Sequence, residues 1–239
     1  MKKVLSWILA FCLLVTAVPL TANAEIIHQT NGSRAISMQA TLSTPIIQGN
    51  QGFSSLSQAV AAAQTGDKTV FLAENMSYTA TEGEVIPAGI TLVIQEGASF
   101  SFGNADSFTK SEGLLQVDAG GILFYPGSQP QSQWIGADSS SCDIELSEGQ
   151  IYYDLKKDLL SLDKRSKALV SSGKTLSLGV TLNSGLKMSY NLDIGSEAAL
   201  TVDGTLDIPA DEIAGSPLQV SVNGTLTMFD GVLKLAKGA

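Results

Sequence analysis

A repeat of short strands, each followed by a glycine turn, constrains the fold of this chain more than any other feature. The unit is two apolar residues separated by one residue, then a polar turn, then another such pair. The turn glycines are Gly97, Gly120, Gly149, Gly204 and Gly224. Neighbouring turns are 23 (120 − 97), 29 (149 − 120) and 20 (224 − 204) residues apart. Spacings in this range indicate a repeat array.

Strands of three or four residues joined by tight corners cannot bury the wide sheet face that a sandwich needs. We therefore predict an all-β solenoid, in which each repeat is one coil whose backbone groups pair with the coils above and below. Glycine suits the corners because it adopts positive φ readily. One inward residue of each repeat is expected to stack in a ladder: Ile94, Val117, Leu146, Val202 and Val222.

The chain divides into a polar leader, residues 25–52, and a β-helix domain, residues 53–239, that begins with a helix at 53–66. Ser55 followed three residues later by Gln58 is a capping-box pattern that marks a helix start. Beyond this helix the hydrophobic period changes from 3.6 to 2 and stays there. The helix is expected to lie flat against the first coil.

The first 24 residues have the three parts of a secretory signal. Lys2 and Lys3 are followed by an apolar run, residues 4–14, and then by the small residues of Ala22-Asn23-Ala24. A retained membrane anchor is the alternative, but the uninterrupted apolar run is shorter than the roughly 18 to 20 residues that span a bilayer. The sequence therefore predicts cleavage after residue 24 and a secreted or cell-surface protein, with no membrane contact after cleavage.

The charge and the rare residues of the mature chain argue against several classes of function. Without Lys2 and Lys3, 12 (14 − 2) basic residues face 23 acidic ones, a net charge of −11 (12 − 23) that disfavours nucleic acid. Cys142 is the single cysteine after residue 24, so no intrachain disulfide forms. His28 is the single histidine, which argues against a zinc site built on paired histidines and against a nucleophilic triad.

Four carboxylates stand at the corners beside the aligned glycines. Stacked coils would bring them into a column at steps of about 5 Å, where they could bind calcium. The alternative is that they are ordinary corner residues solvated by water. No catalytic residue is assigned and no other cofactor is expected. The candidate metal ligands are Glu96, Asp118, Glu148 and Asp203.

Aromatic residues near a turn-rich loop are the candidate ligand site. Trp134 stands in this loop among Gln, Ser and Asp, and Tyr125, Tyr152 and Tyr153 lie on nearby strands. An exposed ring packs against the C–H face of a sugar, while polar neighbours bind its hydroxyls, so these residues could bind a saccharide. The alternative is that Trp134 folds back to cover the coil.

The segment 154–174 holds six of the twelve basic residues of the mature chain. Interleaved acidic residues offset half of this charge, which is typical of a solvated face rather than of a docking patch. We interpret it as a charged insertion between coils.

Residues 56–100 resemble the opening of the right-handed parallel β-helix proteins of the pectin-lyase-like class. The likeness lies in the helix at 56–64, in the Gly66-Asp67 turn and in "IPAGITL" at 86–92. It implies a single-stranded, right-handed parallel β-helix with a short N-terminal capping helix. The runs "GTLDI" and "GTLTM" are similar to the repeats of bacterial adhesin-like surface proteins of this architecture.

In this class, enzymes that cut acidic polysaccharides use clustered aspartates, often with calcium, and a basic residue. The mature chain has two arginines, Arg34 and Arg165, and no segment that matches a catalytic signature. The leading hypothesis is therefore a non-catalytic secreted or cell-surface module with a structural or adhesive role and contact with glycans. The alternative is a polysaccharide lyase or glycoside hydrolase, and a fragment of a longer surface protein is a third hypothesis. Expected partners are a polysaccharide or another protein chain at the uncapped C-terminal edge.

Overall fold

The computed structural model describes residues 44–128, 131–210 and 217–236, which form a β-solenoid of about six turns. The predicted fold class is confirmed. The predicted signal, residues 1–24, and most of the predicted leader lie outside the described residues, as do His28 and Arg34. The leader's last residues, from Thr44 onwards, belong to the solenoid rather than to a separate segment.

The chain enters the solenoid through β1 (Ile46–Gln48), β2 (Gln51–Phe53) and helix α1 (Leu56–Thr65). The first coils contain β3 (Thr69–Leu72), β4 (Ser77–Ala80), β5 (Thr91–Ile94), β6 (Ser99–Phe102), α2 (Ala105–Thr109), β7 (Leu114–Asp118) and β8 (Ile122–Phe124). The middle contains β9 (Gln133–Gly136), β10 (Cys142–Glu148) and β11 (Gln150–Asp154).

The later coils contain β12 (Leu159–Leu162), β13 (Lys167–Val170), β14 (Thr175–Ser177), β17 (Asn191–Ile194), β18 (Ala199–Val202) and β19 (Thr205–Ile208). The last described coil is β20 (Val220–Val222), β21 (Thr225–Met228) and β22 (Val232–Leu235). A hairpin of β15 (Gly179–Thr181) and β16 (Lys187–Ser189) projects between β14 and β17.

Three sheets form the sides of the solenoid. The first has the order β2-β1-β3-β5-β7-β11-β12-β17-β20, the second β21-β18-β13-β10-β9-β8-β6-β4 and the third β14-β19-β22. The predicted insertion at 154–174 is wrong, because β12 and β13 lie within this segment and pair in the first and second sheets. Its charged residues occupy the turns and the outward positions of an ordinary coil.

One coil of the solenoid runs in the opposite direction. In the first sheet β3, β5 and β7 are parallel, and so are β12, β17 and β20. Between these two stacks lies β11, which is antiparallel to both β7 and β12. In the second sheet β9 and β10 are likewise antiparallel to their outer neighbours β8 and β13. The fold is thus two parallel stacks joined through a reversed coil.

Four of the five predicted inward residues are buried. Ile94, Val117 and Val202 are 0% exposed and Leu146 is 1% exposed. Val222 is the exception at 45% exposed, because the described chain places no further coil over it. The prediction of one ladder is wrong, because Ile94, Val117 and Val222 lie in the first sheet, whereas Leu146 and Val202 lie in the second. Val222 still faces inward, since it pairs with the buried Ile194.

The corner glycines fall into two classes. Gly97, Gly120 and Gly149 have positive φ values of 71°, 85° and 83°, as predicted. For Gly204 and Gly224 the prediction is wrong, since neither has positive φ. A Cβ at either of these positions would lie 2.3 Å from a backbone carbonyl oxygen, so they are glycine because the turn backbone of the preceding coil approaches closely.

A buried carboxylate joins α1 to the first coil. Ser55 caps the helix as predicted, accepting from the Gln58 N–H at 3.3 Å. Glu84, 5% exposed, accepts from the Ser57 N–H, the Thr81 N–H and hydroxyl, and the Tyr78 hydroxyl. Burial alone would raise the pKa of Glu84, but these hydrogen bonds outweigh it and lower the pKa below its ordinary 4.5.

We expect Glu84→Gln to reduce the free energy of unfolding at pH 7 by about 2–3 kcal/mol, because hydrogen bonds to a charged group are lost. Because the pKa of Glu84 is lower in the folded than in the unfolded chain, its charged form stabilises the fold at pH values above the unfolded pKa. This stabilisation is lost as the pH falls through the folded pKa. The difference in free energy of unfolding between this variant and the unaltered chain should therefore shrink between pH 5 and pH 3. Urea unfolding measures it. The exposed neighbour Glu82 provides the control Glu82→Gln, and equal pH profiles for the two variants would contradict the role of Glu84.

Candidate functional site

The predicted aromatic ligand site is wrong for three of its four residues. Trp134 and Tyr153 are each 1% exposed and Tyr125 is 5% exposed, so their rings cannot stack on a ligand. Tyr152 is half-buried, and its hydroxyl donates to the Gln150 Oε1 at 2.8 Å. Trp134 is buried, as the alternative interpretation expects, but as an inward-facing residue of strand β9 and not as a loop residue folded back onto the coil.

The buried rings form one continuous cluster at the reversed coil. The Trp134 ring stacks on Tyr125 at 5.1 Å between centroids and meets Tyr153 edge-on at 5.0 Å. Its Nε1–H donates to the Tyr190 hydroxyl at 3.1 Å, and that hydroxyl donates to the Ser177 carbonyl at 2.9 Å. These contacts join the reversed coil to the coils that follow, so the cluster is structural.

Cys142 begins β10 and is 1% exposed. Burial, together with the nearby charge of Glu145, raises the pKa of its thiol to about 11. The Sγ–H donates to the Asp138 carbonyl at 3.0 Å.

We expect the thiol of a chain lacking residues 1–24 to react with iodoacetamide at pH 8 at least about 100-fold more slowly when folded than in denaturant. Two pKa units reduce the thiolate fraction by that factor, and burial slows the reaction further. Mass spectrometry of timed samples measures both rates. Similar rates in the two states would show that the thiol is accessible in the folded chain.

Three of the four predicted metal ligands share one corner. Glu96, Asp118 and Glu148 stand where the first and second sheets meet, whereas Asp203 lies between β18 and β19, where the second and third sheets meet. In the described part of the chain no group of three or more His, Cys, Asp and Glu side chains is placed to hold a metal ion. The calcium site therefore stays a prediction without geometric support.

Two of these corner carboxylates, Asp118 and Glu148, have side-chain partners nearby. Asp118 accepts from the Gln116 amide at 2.7 Å, and burial raises the pKa of its carboxyl. Glu148 forms an ion pair with Lys167. One coil further, Arg165 lies at the same corner with its side chain 83% exposed and 3.7 Å from Glu197. This arrangement is that of a solvated, partly paired edge.

A groove that no sequence pattern indicated lies beside the aromatic cluster. It has a volume of about 340 Å³ and lies where α2, the β11–β12 turn and β16 meet. Its buried floor contains Phe108, Leu155 and Met188. The Phe108 ring is stacked on Tyr153 at 6.2 Å, so the floor is held by the core.

The rim of this groove is polar and charged. Lys156 and Glu112 form an ion pair at 3.7 Å. Asp158 accepts from the Tyr153 hydroxyl at 3.2 Å, and burial raises the pKa of its carboxyl. Lys187 and Ser189 complete the rim. An apolar floor inside a ring of hydrogen-bonding groups suits a ligand with one apolar face and several hydroxyls.

The second unusual surface is the open end, formed by β20, β21 and β22. Each of these strands is the edge strand of its sheet. In the described part of the chain the exposed large hydrophobic residues all lie in this coil: Val222, Phe229, Val232, Leu233 and Leu235, at 45%, 79%, 50%, 48% and 63% exposure.

The preceding coil shows what these positions look like when they are covered. Leu206 and Ile208 of β19 pair with Leu233 and Leu235 of β22, and they are 0% and 8% exposed. The same ladder positions thus change from buried to half-exposed between two successive coils.

Comparison with family models, with curated proteins and with solved structures found no match to this chain. Of the predicted resemblance, the structure supports the β-solenoid. Neither helix in the described residues is long and apolar enough to cross a bilayer.

Proposed function

We propose that this chain is a structural and adhesive module of the cell exterior that works by pairing its open end with another protein chain. The observation that carries the proposal is the concentration of exposed apolar side chains on three edge strands. Edge strands present unpaired N–H and C=O groups, which readily pair with a further strand. Burial of each exposed Leu or Val would add about 1.5–3 kcal/mol at most.

Several features of the molecule support a structural role. Its core is a continuous ladder with ring contacts across the reversed coil, which makes the solenoid a rigid rod. Such a rod holds its end and its side walls at fixed positions. The N-terminal sequence, with its basic start, apolar run and small residues, supports export.

The test measures how much of the chain stays on the surface of the cells that produce it and how much is released into the medium. The double variant Leu233→Lys/Leu235→Lys places charge on the open end, and Thr175→Lys places charge on the same sheet two coils away. We expect the unaltered chain and Thr175→Lys to be retained at the cell surface, beginning at Glu25, and the double variant to be released into the medium. Equal retention of all three would overturn the proposal.

A second candidate function, saccharide binding, is favoured by the groove at α2, the β11–β12 turn and β16. The stacked Phe108 floor offers an apolar surface to a sugar ring, and the charged rim offers partners to its hydroxyls. This position differs from the predicted loop at Trp134. It lies on the same reversed coil, where residues distant in sequence meet.

We expect Lys156→Glu to weaken binding of neutral and acidic oligosaccharides by about tenfold, which corresponds to ~1.4 kcal/mol. Lys157→Glu is the matched control, because the neighbouring Lys157 does not line the groove and pairs with Asp154 at 2.9 Å. Calorimetry measures the affinity, and chromatography of the same mixtures would detect cleavage, the enzymatic alternative. Equal affinities for both variants would place saccharide contact elsewhere.

A further inference from the structure

The reversed coil shows that this solenoid accepts antiparallel stacking. β11 is sandwiched between β7 and β12, which both run against it. Ile151 of β11 stands opposite Val117 on one side and Leu162 on the other. All three are at most 1% exposed. Inward positions therefore meet inward positions whether neighbouring coils run in the same or in opposite directions.

The open end has the same pattern of inward residues as the covered coils. Val220 and Val222 face inward on β20, and Leu226 and Met228 face inward on β21. Leu233 and Leu235 do so on β22. A coil of this same sequence, turned over about an axis perpendicular to the solenoid, would present three antiparallel strands with apolar residues at matching positions.

The opposite end of the described solenoid is already occupied. Helix α1 packs against β1, β2 and β3 there, and Leu56, Ala59, Val60 and Ala63 are buried. Because the end of the core is covered by α1, the open end of one copy cannot stack on the first coil of another. Head-to-tail growth into a fibre is thereby disfavoured, and tail-to-tail contact is the arrangement left for two copies.

Charge also permits contact between two open ends. The whole chain carries a net charge of −9, so most of its surface repels a second copy. Residues 217–236 contain one acidic and one basic residue, Asp230 and Lys234, and are neutral as a group. Contact of two copies at this end avoids the repulsion that side-by-side contact would meet.

We propose that the partner at the open end is a second copy of this chain, joined tail to tail with β20, β21 and β22 pairing antiparallel. The inference rests on the proposed function and names its partner: a dimer presents two copies of each side wall to the cell surface, so loss of pairing weakens retention. The resulting dimer has one continuous core and a two-fold axis, with the two α1 helices at its far ends. Two-fold closure limits the assembly to two copies.

The first test measures the mass of the purified chain by analytical ultracentrifugation at micromolar concentration. We expect a dimer for the unaltered chain and for Thr175→Lys, and a monomer for Leu233→Lys/Leu235→Lys. Far-UV circular dichroism establishes that all three fold alike. Loss of self-association by at least 100-fold in the double variant is the expected effect, because four charges are placed in the apolar contact.

The second test measures the orientation of the two copies with spin labels attached to single cysteines in the chain that lacks residues 1–24 and carries Cys142→Ser. Labels at Thr225→Cys on β21 should lie within about 25 Å of each other, since one side of a coil is about 17 Å wide. Labels at Thr79→Cys on β4 should lie on the order of 70 Å apart, at the far ends of sixteen stacked strands.

The outcomes separate this inference from the proposed function. A monomer at all concentrations, combined with loss of surface retention in the double variant, means that the partner is a different chain and overturns the inference alone. A dimer whose Thr79 labels are close, or a series of larger species, also overturns it. A tail-to-tail dimer with unchanged surface retention supports the inference and overturns the proposed adhesive role.

Discussion

Replacing Trp134 by alanine is expected to lower the free energy of unfolding by about 3–5 kcal/mol, the largest loss for a single side chain of this protein. The ring is 1% exposed and contacts Tyr125, Tyr153 and Tyr190. Its removal leaves a cavity where the reversed coil meets its neighbours. It also removes the donor to the Tyr190 hydroxyl.

Two further variants separate packing from hydrogen bonding at this position. Trp134→Phe keeps most of the ring contacts and loses the Nε1–H donor. We therefore expect it to lower the free energy of unfolding by less than half as much as Trp134→Ala does. Tyr152→Ala, on the outward face of the same coil, should cost about 1 kcal/mol. Denaturant unfolding followed by circular dichroism measures all three. A Trp134→Ala deficit no larger than that of Tyr152→Ala would show that the ring cluster does not hold the coils together.

Replacing Gly204 by asparagine is expected to cost about 3 kcal/mol, because any Cβ there meets backbone that cannot move away. An added Cβ would lie 2.3 Å from the Ser171 oxygen and 2.4 Å from the Lys174 oxygen. The Lys174 oxygen also accepts the Thr205 N–H at 2.9 Å, so a shift of this carbonyl breaks the pairing between coils.

Gly185 provides the matched control for Gly204. It has a φ of +80° and open space around the position of a Cβ. Asparagine adopts this left-handed conformation more readily than most residues, so Gly185→Asn should cost about 0.5 kcal/mol. Thermal unfolding of both variants measures the difference. Equal costs at the two positions would mean that close approach of backbone does not explain Gly204.

The sequence predicted the strands and their inward faces because apolar inward residues alternate with polar outward residues along each strand. Ile94, Val117, Leu146 and Val202 are buried as expected. The same pattern could not predict the reversal at β11, since the alternation of apolar and polar residues is the same in both chain directions. Parallel and antiparallel neighbours also both satisfy the backbone hydrogen bonds.

The errors at the candidate sites have related causes. Alignment by glycine placed Asp203 with Glu96, although the glycine after Asp203 belongs to a different corner. The sequence does not show that Trp134 is buried, because its partner Tyr190 is 56 residues away. The groove at Phe108 could not be predicted, since its three contributing segments are brought together by the reversed coil.

The ring cluster, the groove and the precedent for antiparallel pairing all depend on the reversed coil. Its register pairs Asp118 with Gln150 and Gln116 with Tyr152. Paired antiparallel residues have Cα atoms about 4.5–5.5 Å apart, within reach of a disulfide. If β11 instead ran parallel to β7 about the same centre, Asp118 would stand opposite Asp154.

Disulfide formation reports the direction of β11 in two double-cysteine variants of the chain that lacks residues 1–24 and carries Cys142→Ser. Asp118→Cys/Gln150→Cys should oxidise readily in the folded chain, as shown by mass spectrometry after alkylation. Asp118→Cys/Asp154→Cys should stay reduced, because four residues of strand separate its cysteines by about 13 Å. Oxidation of the second pair and not of the first would contradict the reversed coil.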